Sequence, residues 1–221
     1  AAICVLGAAV VDVIARTEQL PQRGGDSELQ QQSLSVGGCA LNVALALHRL
    51  GLDAVNALPL GQGIWADQVR KKLASCGLTS VTETRKGDNG WCLALVEPDG
   101  ERTFLSMAGV ENQWDEAMLA SVPLQEDGWL YVSGYQLSGK NAEILVPWLE
   151  EVANRQRLLI DFGPRLPHIS QHHWQRLMAL QPVITLNRQE AEHVWHQRLA
   201  IPERFSAQAL IARWSDYFSS P

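Results

Sequence analysis

The chain has 221 residues, of which 46% are hydrophobic and 19% are charged, and its formal net charge at pH 7 is −6. This length and composition are typical of one globular domain that buries a large core. The acidic balance, without a cluster of lysine and arginine residues, argues against a nucleic-acid backbone as the partner.

The cysteine pattern bears on the compartment of the protein. The cysteines form no CxxC pair and no zinc-ligand spacing: Cys4, Cys39, Cys76 and Cys92. Scattered cysteines of this kind are typical of reduced thiols, so we expect a cytoplasmic protein.

The first predicted strand, Ile3–Ala9, is continuous and apolar, as expected for a buried strand. No basic segment precedes it and Asp12 interrupts the apolar run, which argues against a signal peptide and a membrane span. Asp12 lies between two valines, where burial of an unpartnered carboxylate would be costly. It is therefore either a solvated acid at a strand end or a group that binds a ligand.

A glycine pair, Gly37-Gly38, precedes a predicted helix and is followed by Gly51 at the position of a C-cap glycine. Apolar residues recur in the helix at helical spacing: Ala40, Val43, Ala44, Leu47 and Leu50. Glycines let a ligand approach the main chain, and a helix start offers free N–H groups. Asn42 falls in the first turn, where its amide suits a polyhydroxylated ligand. The residues alone leave an ordinary loop-to-helix junction equally open.

The same stretch resembles the first signature of the PfkB/ribokinase family of carbohydrate kinases. The chain matches the small residues, the asparagine and the glycines of that signature: Gly37, Gly38, Ala40, Asn42, Ala44, Gly51 and Gly61. The resemblance implies that Gly37, Gly38 and Asn42 bind the substrate. It also implies that Asp12 holds substrate hydroxyls, since a carboxylate can accept two hydrogen bonds at once.

Exposed segments predict a second, small sheet. Residues 26–36 alternate in part, and two further runs at 91–97 and 102–107 are joined by Pro98-Asp99-Gly100. Asp-Gly between such runs is a strong β-hairpin signal. The residues alone are compatible with a surface hairpin without a function. The resemblance implies lid strands at about 26–36 and 91–107, which cover the sugar and make the contact of a homodimer.

One alternative function arises at Gly61–Ala66, which fits the spacing GxGxxA between a predicted strand and a predicted helix. Glu83 follows roughly where a ribose-binding acid is expected. The pattern would favour a dinucleotide-binding fold. It is short, however, and lies in a region that the kinase signature already explains.

A second alternative arises at Gly134–Lys140, which nearly matches the P-loop between a predicted strand at 129–133 and a predicted helix ending at about Arg155. Asn141 stands where the P-loop needs a hydroxyl to ligate magnesium. We keep a P-loop NTPase as the lesser alternative. The family resemblance instead makes this loop part of the substrate pocket, with Gln136 in contact with the sugar.

Arg165 ends the segment Asp161-Phe-Gly-Pro-Arg165 after the next predicted strand. The resemblance implies an arginine at this strand end, whose guanidinium would bind a carboxylate or a phosphate of the substrate. A surface arginine in a proline-containing loop fits the residues equally well.

Asn187 and Glu190 begin a predicted helix after a short strand at 183–186. An asparagine followed three residues later by an acid is the pattern of a capping box. The pair also resembles the NxxE motif of the family, which implies that it organises Mg²⁺ around phosphates. A last amphipathic helix is predicted at 206–217. We interpret the nearby and preceding histidines as surface residues: His172, His173, His193 and His196.

One part of the family pattern has no match. Family members carry, after the NxxE motif, a Gly-Ala-Gly-Asp loop that supplies an anion hole and the catalytic base, whereas Gly163 is the last glycine here. The resemblance therefore implies a chain that lacks the C-terminal nucleotide-binding part. Two hypotheses stay open: a fragment of an active kinase, or a truncated and inactive relative that binds a sugar or nucleoside.

The expected fold is α/β: a ribokinase-like three-layer sandwich over residues 1–221, with a mainly parallel central sheet and a small β lid. The expected reaction is ATP-dependent phosphorylation of a hydroxyl on a sugar, sugar acid or nucleoside, with ATP and Mg²⁺ as cofactors. The expected partners are that small molecule and a second copy of the chain, without nucleic acid or membrane.

Overall fold

Two sheets and the helices around them form the part of the chain that the computed structural model describes, residues 2–218 without the side chains of residues 31 and 32. Residues 1 and 219–221 of the predicted domain lie outside the described residues. The strands are β1 (Ile3–Leu6), β2 (Val10–Arg16), β3 (Gln30–Gly37), β4 (Ala54–Ala57), β5 (Trp91–Val96), β6 (Arg102–Met107), β7 (Gly128–Ser133), β8 (Gln156–Asp161) and β9 (Val183–Thr185). The α-helices are α1 (Cys39–Arg49), α2 (Ile64–Ser75), α3 (Glu116–Ala120), α4 (Lys140–Val152), α5 (Gln171–Met178), α6 (Arg188–His193), α7 (Ala207–Ala212) and α8 (Trp214–Phe218).

The larger sheet has five strands in the order β4-β1-β7-β8-β9, and all of its strand pairs are parallel. Successive side chains point to opposite faces, as the pleat of a strand requires. On one face Leu6, Val132 and Ile160 share an apolar core with α4 and α5. On the other face Val5 and Tyr131 pack with α1 and α2. The predicted three-layer sandwich with a mainly parallel central sheet is therefore confirmed.

The smaller sheet has four strands in the order β3-β2-β5-β6. β2 is antiparallel to β3 and parallel to β5, while β5 and β6 form an antiparallel hairpin. In the hairpin turn Gly100 has φ 88°, and its N–H donates to the carbonyl oxygen of Glu97 at 2.9 Å. The hairpin predicted from Asp99-Gly100 is therefore confirmed, and β3 joins the same sheet through β2.

The prediction of one strand over Ile3–Ala9 is wrong, because β1 ends just before Gly7 and the chain then enters β2. A Cβ atom at Gly7 would overlap the Cβ of Ala40 in α1, so the absence of a side chain permits this close approach. Asp12 thus belongs to the smaller sheet. No polar turn residue marks the change of sheet, so the hydrophobic pattern does not reveal it.

The single helix predicted at 206–217 is also wrong. The structure has α7 and α8, separated by Arg213, whose φ of −112° and ψ of 14° leave the helical region. The ring of Phe218 in α8 lies edge-on to the buried ring of Trp174, with 5.7 Å between the centroids. Periodicity predicts a continuous helix, whereas aromatic packing against the core favours the break.

The helices of the described chain are short. α1, α2 and α4 have 11, 12 and 13 residues. Between residues 2 and 218, no helix combines the length and the apolar character that a bilayer span requires. The apolar sides of α1 and α4 pack on the larger sheet, whereas α2 shares the core of α1 and contacts β2 and β3 of the smaller sheet.

Candidate functional site

A cavity of about 630 Å³ lies where the carboxyl ends of the central strands meet the smaller sheet. Residues after β1, β7 and β8 form one side, and residues of β2, β5 and β6 form the other. Ligands of open parallel sheets bind at the carboxyl ends of the strands, where loops converge. The polar part of the wall includes Asp12, Ser106, Glu111, Gln136, Ser138, Lys140, Asn141 and Arg165.

Asp12 lines this cavity without a protein partner. It is half-buried in β2, and it forms no hydrogen bond or ion pair with a residue that the structure describes. Burial raises the pKa of its carboxyl group above the ordinary value, because removal from water disfavours the charged form. Gly37 is adjacent: an added Cβ there would lie 3.0 Å from Oδ2 of Asp12. The carboxylate is thus available to accept hydrogen bonds from ligand hydroxyls.

The turn into α1 explains the second glycine of the pair. Gly38 has φ 125°, and a Cβ at this position would overlap the carbonyl oxygen of Ala8. As predicted, α1 begins directly afterwards at Cys39, and Gly51 follows its end with φ 73°. Gly38 and Cys39 line the cavity, whereas Asn42 is exposed and lies outside the wall.

Gln136 lines the cavity, and its side-chain amide nitrogen is buried and unpaired within the described part of the chain. The residue is 1% exposed, and its Oε1 accepts a hydrogen bond of 2.7 Å from Nε1 of Trp114. Because an indole N–H can only donate, this bond determines which end of the amide is oxygen. The buried amide nitrogen Nε2 then has no partner among the described residues. An oxygen atom of a ligand would satisfy a donor that is costly to leave unpaired.

Two cationic side chains line the cavity, one after β8 and one at the start of α4. Arg165 is half-buried, and its Nε donates to Oγ of Ser138 at 3.3 Å. Lys140 is the first residue of α4 and is exposed. The cavity therefore presents cations from the loops after β7 and β8 and a carboxylate, Asp12, from the smaller sheet.

Comparisons with known proteins identify the family to which this geometry belongs. The model of the pfkB family of carbohydrate kinases matches residues 1–213. The chain belongs to this family. It is 52% identical over 223 residues to the "Uncharacterized sugar kinase YegV" of Escherichia coli (strain K12). The aligned residues cover 99% of this chain and 67% of that protein. The predicted family and its kinase class are therefore confirmed.

Solved structures show the ribokinase-like fold of the pfkB family. A fructokinase from Xylella fastidiosa superposes with a TM-score of 0.72 at 18% identity, over 97% of this chain and 69% of that chain. A ribokinase from Giardia lamblia superposes with a TM-score of 0.73 at 15% identity, over 100% and 66% respectively. Such identities establish the fold alone. The chain spans about two thirds of the length of these relatives.

The P-loop interpretation of Gly134–Lys140 does not fit this pfkB chain. The first three residues of the segment form a 3₁₀ turn, and a Cβ at Gly134 would overlap the carbonyl group of Phe162. Asn141, at the position of the P-loop hydroxyl, accepts a hydrogen bond of 3.3 Å from the backbone N–H of Trp114. The glycine thus permits close packing of two strand ends, and the asparagine holds a neighbouring loop.

The dinucleotide interpretation of Gly61–Ala66 is wrong as well. The carboxylate of Asp88 accepts hydrogen bonds from the N–H of Trp65 at 3.1 Å and from the N–H of Ala66 at 2.7 Å. The first turn of α2, where a pyrophosphate would bind, is therefore occupied by an acid of the protein itself. Glu83 is exposed and lies 3.7 Å from an arginine of α2.

Asn187 and Glu190 form a complete capping box at the start of α6. Oδ1 of Asn187 accepts from the N–H of Glu190 at 2.8 Å, and Oε1 of Glu190 accepts from the N–H of Asn187 at 3.4 Å. Neither residue lines the cavity. Burial, then the charge of Asp161, and more weakly that of Glu190, raise the pKa of the Cys39 thiol, which lines the cavity. The structural interpretation of the pair is confirmed, and its magnesium role stays a prediction.

Glu111 is a cavity residue that the sequence did not reveal. It is 3% exposed, and it accepts hydrogen bonds from the N–H of Gly90 at 2.9 Å and the N–H of Gly109 at 3.0 Å. Gly90 precedes β5 and Gly109 follows β6, so the carboxylate of Glu111 binds the backbone at both ends of the β5–β6 hairpin. No local pattern signals this role, because Gly90 is 21 positions away from Glu111 in the chain.

The surface interpretation of the histidines is wrong for His193. This residue is half-buried, and its Nε2 is buried without a partner among the described residues. Burial, and then the charge of Arg198, lower the pKa of His193, which favours the neutral imidazole. His172 and His196 are exposed, as interpreted.

Proposed function

We propose that the protein transfers the γ-phosphate of ATP to a hydroxyl group of a sugar, a sugar acid or a nucleoside. The observation that carries this proposal is the unpartnered carboxylate of Asp12 in a half-closed cavity at the carboxyl ends of parallel strands. A carboxylate whose charged form is disfavoured by burial gains most when ligand hydroxyls donate to it. The name of the Escherichia coli relative, a sugar kinase, agrees with this substrate class.

The proposed substrate contacts come from both sides of the cavity. Asp12 would accept hydrogen bonds from hydroxyl groups, and Nε2 of Gln136 would donate to a ligand oxygen. Gly37 and Gly38 would leave room for the ligand beside the main chain. Asn42 lies three residues after Cys39 on the same side of α1, so we propose that it contacts the substrate at the mouth of the cavity. Arg165 would bind the ligand from the loop after β8, on the side of the cavity opposite Asp12.

The reaction breaks the bond between the γ-phosphorus and the oxygen that bridges to ADP, and it forms a bond from that phosphorus to the substrate oxygen. The hydroxyl proton must pass to a base, and catalysis depends on positioning and on stabilising negative charge. Asp12 positions the hydroxyl groups in this scheme. Among residues 1–221 we assign no base, and no glycine follows Gly163 to form a glycine-rich anion hole.

Asn187 and Glu190 are the proposed magnesium residues. Mg²⁺ prefers oxygen ligands, and it usually keeps several waters while binding one or two carboxylates and substrate phosphates. Glu190 uses Oε1 in the capping box, which leaves Oε2 free to ligate the ion or to accept hydrogen bonds from its waters. Within residues 2–218, no three His, Cys, Asp or Glu side chains are grouped to hold a metal, so water and phosphate oxygens would complete the shell. When bound, Mg²⁺ would neutralise charge on the phosphates.

The alternative function is binding of a sugar or nucleoside without phosphorylation. The observation that favours it is that no glycine follows Gly163, so residues 164–221 contain no glycine-rich anion hole. The cavity residues would then act as a binding site only.

We also propose that the smaller sheet is the lid of the cavity and the contact of a homodimer. Its edge strand β6 exposes three large apolar side chains, Phe104, Leu105 and Met107, at 60%, 58% and 60%. An edge strand with exposed apolar side chains favours pairing with another chain. The opposite edge strand, β3, exposes Leu34 at 40%. A second copy would cover these surfaces.

We propose a cytoplasmic localisation. The cysteines are all free thiols: Cys4, Cys39, Cys76 and Cys92. Free thiols suit a reducing compartment.

The test measures binding and chemistry in the same samples. Thermal unfolding is followed with hexoses, pentoses, aldonic acids and nucleosides, and ³¹P NMR follows product formation with ATP and Mg²⁺. We expect at least one ligand to raise Tm, because binding to the folded state stabilises it. Asp12→Ala is expected to abolish this increase, whereas Asp26→Ala, which removes an exposed carboxylate outside the cavity wall, is expected to leave it unchanged.

A phosphorylated product would support the kinase, and stabilisation without ADP release would support the binding-only alternative. If no ligand raised Tm, or if Asp12→Ala kept the full increase, the proposed substrate site would be wrong.

A further inference from the structure

We infer that Arg198 is a positioning residue of the substrate site, because it holds the loop that presents Arg165 to the cavity. This inference rests on the proposed function, in which Arg165 contacts the substrate. Arg198 itself lies outside the cavity wall, so it would act on a ligand only through that loop.

The guanidinium of Arg198 binds one short segment of the chain. Nη2 donates to the carbonyl oxygen of Leu166 at 2.8 Å and to that of Ile169 at 2.6 Å. Nη1 donates to Oε1 of Gln171 at 3.0 Å. The guanidinium also lies 5.2 Å from the centroid of the buried Trp174 ring, within the range of a cation–π contact. One side chain therefore holds both the loop after β8 and the start of α5.

The loop that Arg198 holds begins at the cavity. Gly163–His168 form a 3₁₀ segment, in which Arg165 lines the cavity and Leu166 follows directly. The carbonyl oxygen of Leu166, which Arg198 binds, also accepts from the N–H of Ile169 at 3.2 Å. This carbonyl belongs to the residue next to Arg165, so its release is expected to displace Arg165. A small displacement of a ligand contact is enough to weaken binding or slow a reaction.

The segment that carries Arg198 continues from α6. The helix runs directly into a π-helical turn at Val194–Arg198. Turns of this kind inside helices are frequent at functional sites. At its other end, α6 begins with the capping box of Asn187 and Glu190, the proposed magnesium residues. Arg198 thus joins the loop of a proposed substrate contact to the helix of the proposed magnesium residues.

The charge of Arg198 has no acidic partner within residues 2–218. The side chain is half-buried, and its Nε is buried without a partner among the same residues. Burial lowers the pKa of the guanidinium, because removal from water disfavours the charged form. A half-buried cation without a counter-ion is costly. Its contribution is therefore the set of contacts to the loop, and not an ion pair.

Hydrogen exchange of the chain without ligand tests the positioning itself. Arg198→Gln is expected to raise the exchange rate of the Ile169 amide about tenfold or more and to change amides of β7 by less than about twofold. Arg204→Gln removes an exposed arginine outside the cavity wall and is the matched control. It is expected to leave both rates unchanged.

Isothermal titration calorimetry tests the consequence for binding, with D-gluconate, D-ribose and adenosine as probes. Arg198→Gln is expected to weaken binding of the tightest probe about fivefold. Arg198→Lys keeps the charge but loses the planar pair of donors, so its affinity is expected to fall between those of Arg198→Gln and the unchanged chain. Val152→Ala is the stability control, because Val152 is buried in α4 about 18 Å along the helix from Lys140. It is expected to lower Tm without changing the affinity.

A double-mutant cycle separates positioning of Arg165 from support of the whole fold. Arg165→Gln alone is expected to weaken binding of the same probe about tenfold. When Arg198→Gln is added to Arg165→Gln, binding is expected to weaken by less than about a further twofold, because the contact that Arg198 positions is already absent. A role in the fold as a whole would instead give additive losses.

Four outcomes would overturn the inference. If Arg198→Gln left the exchange of the Ile169 amide unchanged, or weakened binding equally with and without Arg165, the inference would fail while the proposed function stood. If Arg165→Gln left the affinity for every probe unchanged, Arg198 would have no contact to position, and the site around Asp12 would stand without it. If no probe bound, the inference and the proposed function would fail together.

Discussion

The two sheets of this chain differ in how they are covered. In the larger sheet, helices cover both faces, and Leu130, Val132 and Ile160 are fully buried. In the smaller sheet, the edge strand β6 exposes Phe104, Leu105 and Met107. Parallel strands with helices on both faces are usually buried, whereas antiparallel strands can leave one face open.

This difference separates stability from ligand binding. The larger sheet buries the apolar surface that stabilises the fold, and it offers only its strand ends to the cavity. The smaller sheet buries less apolar surface, and it supplies the unpartnered carboxylate of Asp12 to the cavity. The carboxylate of Glu111 holds both ends of its β5–β6 hairpin. We therefore expect core changes to affect the whole fold and lid changes to act locally.

The largest expected effect is the loss of a buried side chain in the core. Leu145→Ala in α4 removes a leucine that is 0% exposed and is expected to lower the free energy of unfolding by about 2–5 kcal/mol. Leu105→Ala in β6, which is 58% exposed, is the matched control, and at a protein concentration that keeps the chain monomeric it is expected to change this free energy by about 0.5 kcal/mol or less. Urea denaturation measures both. Equal losses in the two variants would contradict the contrast between the sheets.

Loss of the Glu111 carboxylate, which binds both ends of the β5–β6 hairpin, should lower the free energy of unfolding less and act more locally. In Glu111→Gln one carboxylate oxygen becomes an amide nitrogen, which cannot accept from Gly90 or Gly109. The lost bond is expected to cost about 1–3 kcal/mol, because a buried donor is left unpaired. Hydrogen exchange of amides in β5 and β6 should then rise more than in β7 and β8. A uniform rise across both sheets would show that Glu111 supports the whole fold and not the hairpin.

The capping box of Asn187 and Glu190 should contribute less to the free energy of unfolding than Glu111 does. Asn187→Ala removes the acceptor for the N–H of Glu190 and is expected to lower the free energy of unfolding by about 1 kcal/mol. Asn187→Asp keeps an acceptor at this position and is expected to retain most of that stability. Urea denaturation without Mg²⁺ isolates the structural role. If both variants matched the unchanged chain, the box would add nothing to stability.

The smallest expected effect is the pH dependence of Asp12. Its pKa is raised in the folded state by burial, so the folded chain binds more protons than the unfolded chain in the window above the ordinary pKa of about 3.9. Asp12 therefore makes folding less favourable as the pH rises through this window, and Asp12→Asn is expected to increase Tm at pH 7. At about pH 3 the carboxyl is protonated in both states, and the gain should vanish. A Tm difference independent of pH would show that the gain does not come from the charge.

Features that depend on neighbouring residues were predictable from the sequence. The start of α1 after Gly38, the αL glycine at Gly51 and the hairpin turn at Gly100 are all present. The capping box of Asn187 and Glu190 is also present. Each follows from backbone conformations or hydrogen bonds within a few positions, and a short segment of sequence contains both partners.

Features that depend on distant partners were decided by the tertiary structure. The chain leaves the larger sheet at Gly7, which packs closely against α1, and Asp12 lies in the smaller sheet; the sequence near Asp12 contains no sign of this change. The acid that fills the start of α2, Asp88, lies 22 and 23 positions from the amides it binds. The bond from Trp114 that orients Gln136 spans 22 positions.

The sequence by itself therefore determined the family, the layered α/β fold and four residues of the cavity wall: Asp12, Gly38, Gln136 and Arg165. The tertiary structure decided which of these residues share one cavity and which are occupied by partners within the protein. The physical reason is that hydrophobic periodicity and turn chemistry act over a few residues, whereas the pairing of polar groups depends on which distant segments the fold brings into contact.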